Sequence, residues 1–241
     1  MSNQTEGVPY LDLVSEFHRL RDDWVAAIDR LGSKAAFILG DAVTEFQQEA
    51  SDYIGCKHAL GVANGTDALV LALRALGIGP GDEVITTPFT FFASAESISL
   101  VGATPVFADI DESSFNITPD SVKAAITDRT KAILPVHIFG HPADMAGLRA
   151  IADEHGLKLI EDAAQAFGAK SGDGIVGSHG HAGCFSFYPT KNLGAMGEAG
   201  VTKALEVIHR ELDISMALCG KRNLSEVGRD ILLVPEGFEG R

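Results

Sequence analysis

The sequence predicts an α/β fold, a mostly parallel central sheet with helices packed against it. Two observations carry this expectation. From residue 58 onward, short apolar runs alternate with longer stretches of helical periodicity, and Gly, Pro or Asp separates each pair, which is the rhythm of repeated βαβ units. The short runs are rich in β-branched residues and apolar on both sides, as strands covered on both faces of a parallel sheet must be. Composition agrees. With 241 residues, 46% of them hydrophobic and 22% charged, the chain can bury a full-sized core, and only Gly is abundant beyond the ordinary.

In order along the chain, Leu11 to Leu31 carries Leu13, Phe17, Leu20, Trp24, Ile28 and Leu31 at helical spacing and stops at Gly32, which predicts a surface helix. A second helix is expected from Asp41 to Tyr53, with Val43, Phe46 and Ala50 on one face and Gly55 past its end. Between them AAFILG is apolar and uncharged, as a segment laid across another surface would be. Strands are expected at His58–Val62, Glu83–Thr87, Thr104–Ala108, Thr130–Val136, Lys158–Ile160 and Gly183–Phe187. Helices are expected at about 66–76, 92–101, 119–126 and 144–154, with a further one from Lys203 to His209. No internal repeat or interdomain linker is visible.

Charge and cysteine content exclude several classes. A net charge of -14 argues against nucleic acid as a partner, because phosphate backbones are held by clustered Lys and Arg. The three cysteines, Cys56, Cys184 and Cys219, show no CxxC or Cys/His spacing, so neither a disulfide scaffold nor a metal site is expected. The first residues lack the pattern of a signal peptide and no apolar run reaches spanning length, so no membrane association and a cytoplasmic location are expected.

In open α/β sheets, chemistry sits in the loops after the strands. In ANGTDALVLAL, Gly65 permits a tight turn and Thr66 and Asp67 stand where a helix begins, so its first amides offer a phosphate site, or simply an ordinary N-cap. In TTPFTFFASAES, one of Phe89, Phe91 and Phe92 has the shape to stack on a flat ring, while core packing is expected to claim at least two of them. LIEDAAQAFGA puts Glu161 and Asp162 at a strand end with no evident structural duty. One carboxylate there is suited to hold a proton on a pyridine nitrogen, Glu161 reading alternatively as a surface charge, and Gln165 falls on the same side of the next turn. FSFYPTKNLGAMGEAG holds a single lysine, Lys191, in an uncharged loop, with Ser186 upstream as a second hydroxyl for a phosphate. An apolar loop favours a nucleophilic amine, and a solvated surface lysine is the bland alternative. Taken in this chain order, Gly65-Thr66, Asp162 and Lys191 suggest a pyridoxal phosphate site.

VPYLDL, FILG, the block from GTDALVLALRALGIGPGDEVITTPFTFFASAESISLVGATPVFADID, PVHIFGHPADM, EDAAQAFGA and FSFYPTKNLGAMGEAG resemble the DegT/DnrJ/EryC1/StrS family of pyridoxal phosphate-dependent sugar aminotransferases over residues 8–200. The resemblance implies the large domain of the fold type I aminotransferases, pyridoxal 5'-phosphate as cofactor, and a homodimer with sites at its interface. It implies that Lys191 forms the internal aldimine and acts as general acid/base, that Asp162 faces the pyridine nitrogen, and that Gln165 lies near the phenolic oxygen. Gly65, Thr66 and Ser186 match the phosphate cradle and Phe91 the aromatic on the cofactor ring. The expected reaction moves an amino group from an amino acid, glutamate in most of the family, to a nucleotide-linked keto-sugar. Relatives with histidine in place of the lysine dehydrate sugars, so Lys191 favours amino transfer. Phe167 departs from the family, which commonly has histidine there. The resemblance stops at Gly200: residues 1–200 are expected to be the N-terminal segment and large domain, and 201–241 an unrecognised tail in place of the small C-terminal domain. Two other readings stay open. One is an inactive fragment that keeps the cofactor or binds a full-length homologue. The other is a nicotinamide enzyme, against which stands the lack of GxGxxG after a strand.

Overall fold

The computed structural model describes residues 13–36, 38–172 and 174–192. The chain enters through α1 (Leu13–Gly32) and α2 (Asp41–Ile54), then runs α3 (Gly65–Ala75), β1 (Glu83–Thr86), α4 (Ala93–Leu100), β2 (Thr104–Phe107), α5 (Pro119–Ala125) and β3 (Thr130–Ile133). It continues with α6 (Met145–His155), β4 (Lys158–Asp162), the two-residue strands β5 (Lys170–Ser171) and β6 (Gly174–Ile175), and β7 (Ala182–Cys184). Five strands form one sheet in the order β2-β1-β3-β4-β7, every pair parallel, and β5 and β6 make a small antiparallel hairpin. The predicted architecture is therefore present, and most element boundaries shift by one to three residues, as fraying ends do.

Strand alternation sorts the core into two layers. Val84, Ala132, Leu134 and Ile160 pack with Leu69 and Leu73 of α3 and Ile98 of α4. Their sequence neighbours Ile85, Ile133 and Leu159 pack on the other face with Val122 of α5 and Leu148, Ile151 and Ala152 of α6. Local chemistry caps several of the helices. Gly55 and Gly156 close α2 and α6 in the left-handed conformation, and Thr118 and Ser121 cap α5 reciprocally with Pro119 in its first turn. At the amino end of the sheet Glu83 is buried and ties to Thr127 and Arg129, joining β1 to the turn before β3.

Three expectations are corrected. No strand forms at His58–Val62 among the described residues: Leu60 is 82% exposed and the Gly61 amide bonds the Gln47 side chain, so this segment has strand composition but no neighbouring ladder. AAFILG does not pack down where it is described, since Ile38 and Leu39 are exposed. The buried stripe of α1 is Trp24, Ala27 and Leu31, while Phe17 and Ile28 face outward, because the helix meets its neighbours along its C-terminal half. The helix expected at Lys203–His209 lies outside the described residues.

Leu73 is fully buried between α3 and the sheet. Replacing it with Ala is expected to cost about 2–5 kcal/mol, from lost burial plus the cavity left behind, measured as a lower midpoint in denaturant unfolding.

Candidate functional site

The last two residues of β4 point to opposite faces of the sheet. Asp162 has the parity of Ile160 and meets α4. Glu161 has the parity of Leu159 and meets the loop before β7. Two adjacent carboxylates thus enter different surroundings.

Glu161 is no surface charge. It is completely buried and accepts four hydrogen bonds, from the Gly177 amide (2.7 Å), the His179 amide (2.8 Å), the Gly180 amide (2.6 Å) and His137 Nε2 (3.1 Å). Because the Ala143 amide donates to His137 Nδ1 at 3.1 Å, the ring proton sits on Nε2 and is given to the carboxylate. Burial alone pushes the Glu161 carboxyl upward, but the donors from His137, Gly177 and Gly180 together outweigh it and hold the group below the ordinary 4.5. This cluster straps β3, β4 and the 177–180 loop together.

Asp162 is 5% exposed. Its Oδ2 accepts the Ser94 hydroxyl at 2.7 Å and its Oδ1 the Ala164 amide at 3.2 Å. Burial raises its carboxyl above the ordinary value, opposed by Ser94, by Ala164 and, more distantly, by the charge of Lys191. Lys191 itself lies half-buried in the turn after β7, where its amide donates to Tyr188 O at 2.8 Å. Next to Asp162 in the ladder is Cys184, whose thiol is pushed up to about 12 by burial and then by the charges of Asp162 and Glu161, so it stays protonated and inert.

Gly65 and Ser186 meet, as the sequence suggests. A Cβ on Gly65 would stand 3.0 Å from Ser186 Cβ, so only glycine lets the start of α3 approach the end of β7 this closely. The N-cap is Asn64, which the sequence reading did not single out: its Oδ1 accepts from the Asp67 amide at 2.9 Å. That leaves the amides of Gly65 and Thr66, at the positive end of the helix, without an acceptor among the described residues. Gln165 lies in the turn after β4 and its Oε1 accepts from the Phe139 amide at 3.0 Å, leaving its amide nitrogen for other partners.

The phenylalanine expectation is corrected. None of Phe89, Phe91 and Phe92 enters the core: they are 41%, 68% and 70% exposed. The loop rises above the strand ends, and α4 buries Ala93, Ser94, Ser97 and Ile98 instead. Phe89 packs with Phe115 and Phe139, whereas Phe91 has no ring partner among the described residues. Phe167 stacks on Tyr53 at 5.4 Å and meets Phe185 and Phe187 edge-on, so it works as packing between α2 and the end of β7. A cavity of about 460 Å³, lined by Asn116, His141 and Lys170 among others, contains none of these residues. No metal-binding cluster occurs among the described residues, and none of their helices is long and apolar enough to cross a membrane.

A parallel α/β sheet whose strand ends gather a buried aspartate, a lysine and an open helix N-terminus is the arrangement of a cofactor-binding domain. The profile of the DegT/DnrJ/EryC1/StrS aminotransferase family matches residues 19–223, and the chain belongs to that family. It is 49% identical over 220 residues to the UDP-N-acetyl-3-dehydro-alpha-D-glucosamine 3-aminotransferase of Acidithiobacillus ferrooxidans, covering 91% of this chain and 58% of that protein. It is 48% identical over 197 residues to the dTDP-3-amino-3,4,6-trideoxy-alpha-D-glucose transaminase of Streptomyces venezuelae, covering 82% of this chain and 52% of that one. Among solved structures, S. venezuelae DesV in complex with a ketimine intermediate superposes with a TM-score of 0.75 at 44% identity, covering 82% of this chain and 56% of that one. NtdA from Bacillus subtilis with bound cofactor PMP also gives a TM-score of 0.75, at 33% identity over 80% of this chain and 44% of that one. The chain spans about half the length of the curated relatives it matches. The expected fold, that of the large domain of pyridoxal phosphate-dependent aminotransferases, is thus present.

Glu161→Ala is expected to cost about 3–5 kcal/mol at neutral pH, because it strands three amides and the His137 ring. The folded carboxyl lies below its ordinary 4.5, so its stabilisation is complete above that value and lost as pH falls through the folded one. The stability gap between wild type and Glu161→Gln, followed by chemical unfolding, should accordingly narrow on acidification below about 4.5.

Proposed function

We propose that this chain binds pyridoxal 5'-phosphate in the site around Asp162 and Lys191 and takes part in moving an amino group from an amino acid, glutamate by family resemblance, to a nucleotide-linked keto-sugar. The observation that carries this reading is the buried Asp162 carboxylate at the end of β4, within reach of the Lys191 charge and one strand from the Gly65–Ser186 contact.

The residues fit the group. The free amides of Gly65 and Thr66, with the hydroxyls of Thr66 and Ser186, suit a phosphate dianion at the start of α3, where no side chain at residue 65 fills the space. The bound cofactor supplies an electron sink for a carbanion. Asp162 would hold a proton on the pyridine nitrogen through a charge-assisted hydrogen bond. Gln165 offers its side-chain amide N–H to the phenolic oxygen, its Oε1 being occupied by Phe139. Phe91, exposed beside the strand ends, is free to cover the ring. Lys191 Nζ would be the amine that holds the cofactor's aldehyde carbon and the base that would carry a proton from the donor's α-carbon.

The UDP- and dTDP-sugar names of the relatives support a nucleotide-linked keto-sugar as the acceptor. The resemblance also implies a homodimer, for which the exposed rings of Phe92 and Phe139 offer apolar surface; sedimentation of the purified chain measures it.

Mixing the purified chain with pyridoxal 5'-phosphate should give a visible absorbance band that Lys191→Ala abolishes. A wild-type chain with no such band would sink the cofactor reading. Incubation with glutamate and a UDP- or dTDP-linked keto-sugar, followed by mass spectrometry for the amino sugar, then tests transfer separately from cofactor binding.

A further inference from the structure

Asp162 is held by a side chain that none of the sequence motifs singles out. Ser94, on α4, is 1% exposed and donates its hydroxyl to Asp162 Oδ2 at 2.7 Å. Thr90 Oγ1 lies 2.8 Å from Ser94 Oγ. Chemistry fixes the directions: an ionised carboxylate only accepts, so Ser94 donates to it, and a lone pair of Ser94 accepts from Thr90. A hydroxyl that itself accepts a hydrogen bond donates more strongly, because bonds in such a chain polarise one another. On the far side, Oδ1 takes the Ala164 amide. Each carboxylate oxygen has about two acceptor positions, so these two donors pin the group and leave a position on each oxygen for a cationic N–H.

The fold places this relay deliberately. Ser94 shares the buried face of α4 with Ser97 and Ile98, and that face lies on the same side of the sheet as Ile160 and Asp162. Ser97 Oγ donates to Ser94 O at 3.0 Å, and Thr90 is half-buried, linking the relay toward the surface.

We propose that Ser94, with Thr90 behind it, is a positioning residue that keeps the Asp162 carboxylate charged and oriented, and thereby sets how firmly the site retains a proton on the pyridine nitrogen of bound pyridoxal phosphate. This rests on the cofactor reading above. A buried carboxylate with too few donors takes up a proton itself and ceases to be the acceptor a pyridinium requires. The other titratable groups around Asp162 are His137 from the segment after β3, Lys191 from the turn after β7, Cys184 on β7 and Glu161 on β4. None of them donates a hydrogen bond to its carboxylate oxygens, so the side-chain donor to those oxygens is Ser94 alone among the described residues.

Two titrations on the full chain test this. Without cofactor, the Asp162 carboxyl carbon, followed by NMR in aspartate-labelled protein and assigned through D162N, should titrate higher in S94A than in wild type by about one to two pH units, the size of one hydrogen bond to a charged group. S94T keeps the hydroxyl and should restore the wild-type curve, and T90V should shift it the same way by less. With labelled pyridoxal phosphate bound, the pyridine nitrogen should lose its proton at lower pH in S94A than in wild type. An Asp162 titration unmoved in both S94A and T90V overturns the proposal, as does a pyridine nitrogen that titrates alike in S94A and wild type. Should S94A fail to fold, T90V decides. If wild type binds no pyridoxal phosphate, the cofactor reading falls and takes the second half of the proposal with it, while the cofactor-free titration still decides the first.

Discussion

The buried Glu161 carboxylate is the interaction on which the site's shape depends. Its two oxygens gather donors from two separated parts of the chain: the imidazole after β3, and three amides of the loop before β7. A charge taken out of water is costly unless its acceptor positions are filled. Here four donors fill them, so the loop must close on β4 in one conformation. Without that closure β7 would have no reason to end beside Asp162, nor Ser186 to end beside Gly65.

The site then follows from topology. β4 is flanked by β3 and β7, and the helices that rest on its Asp162 side are α3 and α4. The neighbours bring the components: α4 brings Ser94, the segment after β7 brings Ser186 and Lys191, and α3 brings an unpaired helix N-terminus. Polar groups converge at the carboxyl ends because the strands are parallel, so all their following loops emerge on the same edge. The hydrophobic layers beneath are continuous, so the buried ionised groups stand at the two ends of the sheet, Glu83 at the amino end and Glu161 and Asp162 at the carboxyl end.

Much of this was legible in the sequence, and the exceptions have physical causes. The alternation of apolar runs and helical patterns located five sheet strands and the helices between them, because burial on both faces imposes that composition. Gly65, Asp162 and Ser186 could be placed at loop starts for the same reason, and of these Gly65 and Ser186 meet. His58–Val62 was misjudged because strand composition reports only the capacity to pair, and the ladder itself is a tertiary fact. Glu161 was misjudged because its partners, His137 and the 177–180 amides, are remote in sequence; the clue was its parity with Leu159 inside a strand buried on both sides. Ser94 left a fainter trace, a hydroxyl repeated at Ser97 on the otherwise apolar inner face of a helix. The exposed phenylalanines were misassigned because residue type says nothing about which side of a strand end a loop takes.

Adjacency of Glu161 and Asp162 has one further meaning. Two carboxylates consecutive in sequence would repel if they shared an environment, yet the pleat of β4 sends them to opposite faces of the sheet, one into a cage of amides and one toward the Ser94 hydroxyl on α4. The strand thus gives two adjacent carboxylates different partners with a single residue step. A register slip of one position along β4 would turn every side chain to the opposite face, taking Glu161 out of its cage and Asp162 away from Ser94, so the pleat itself is what keeps the two environments distinct.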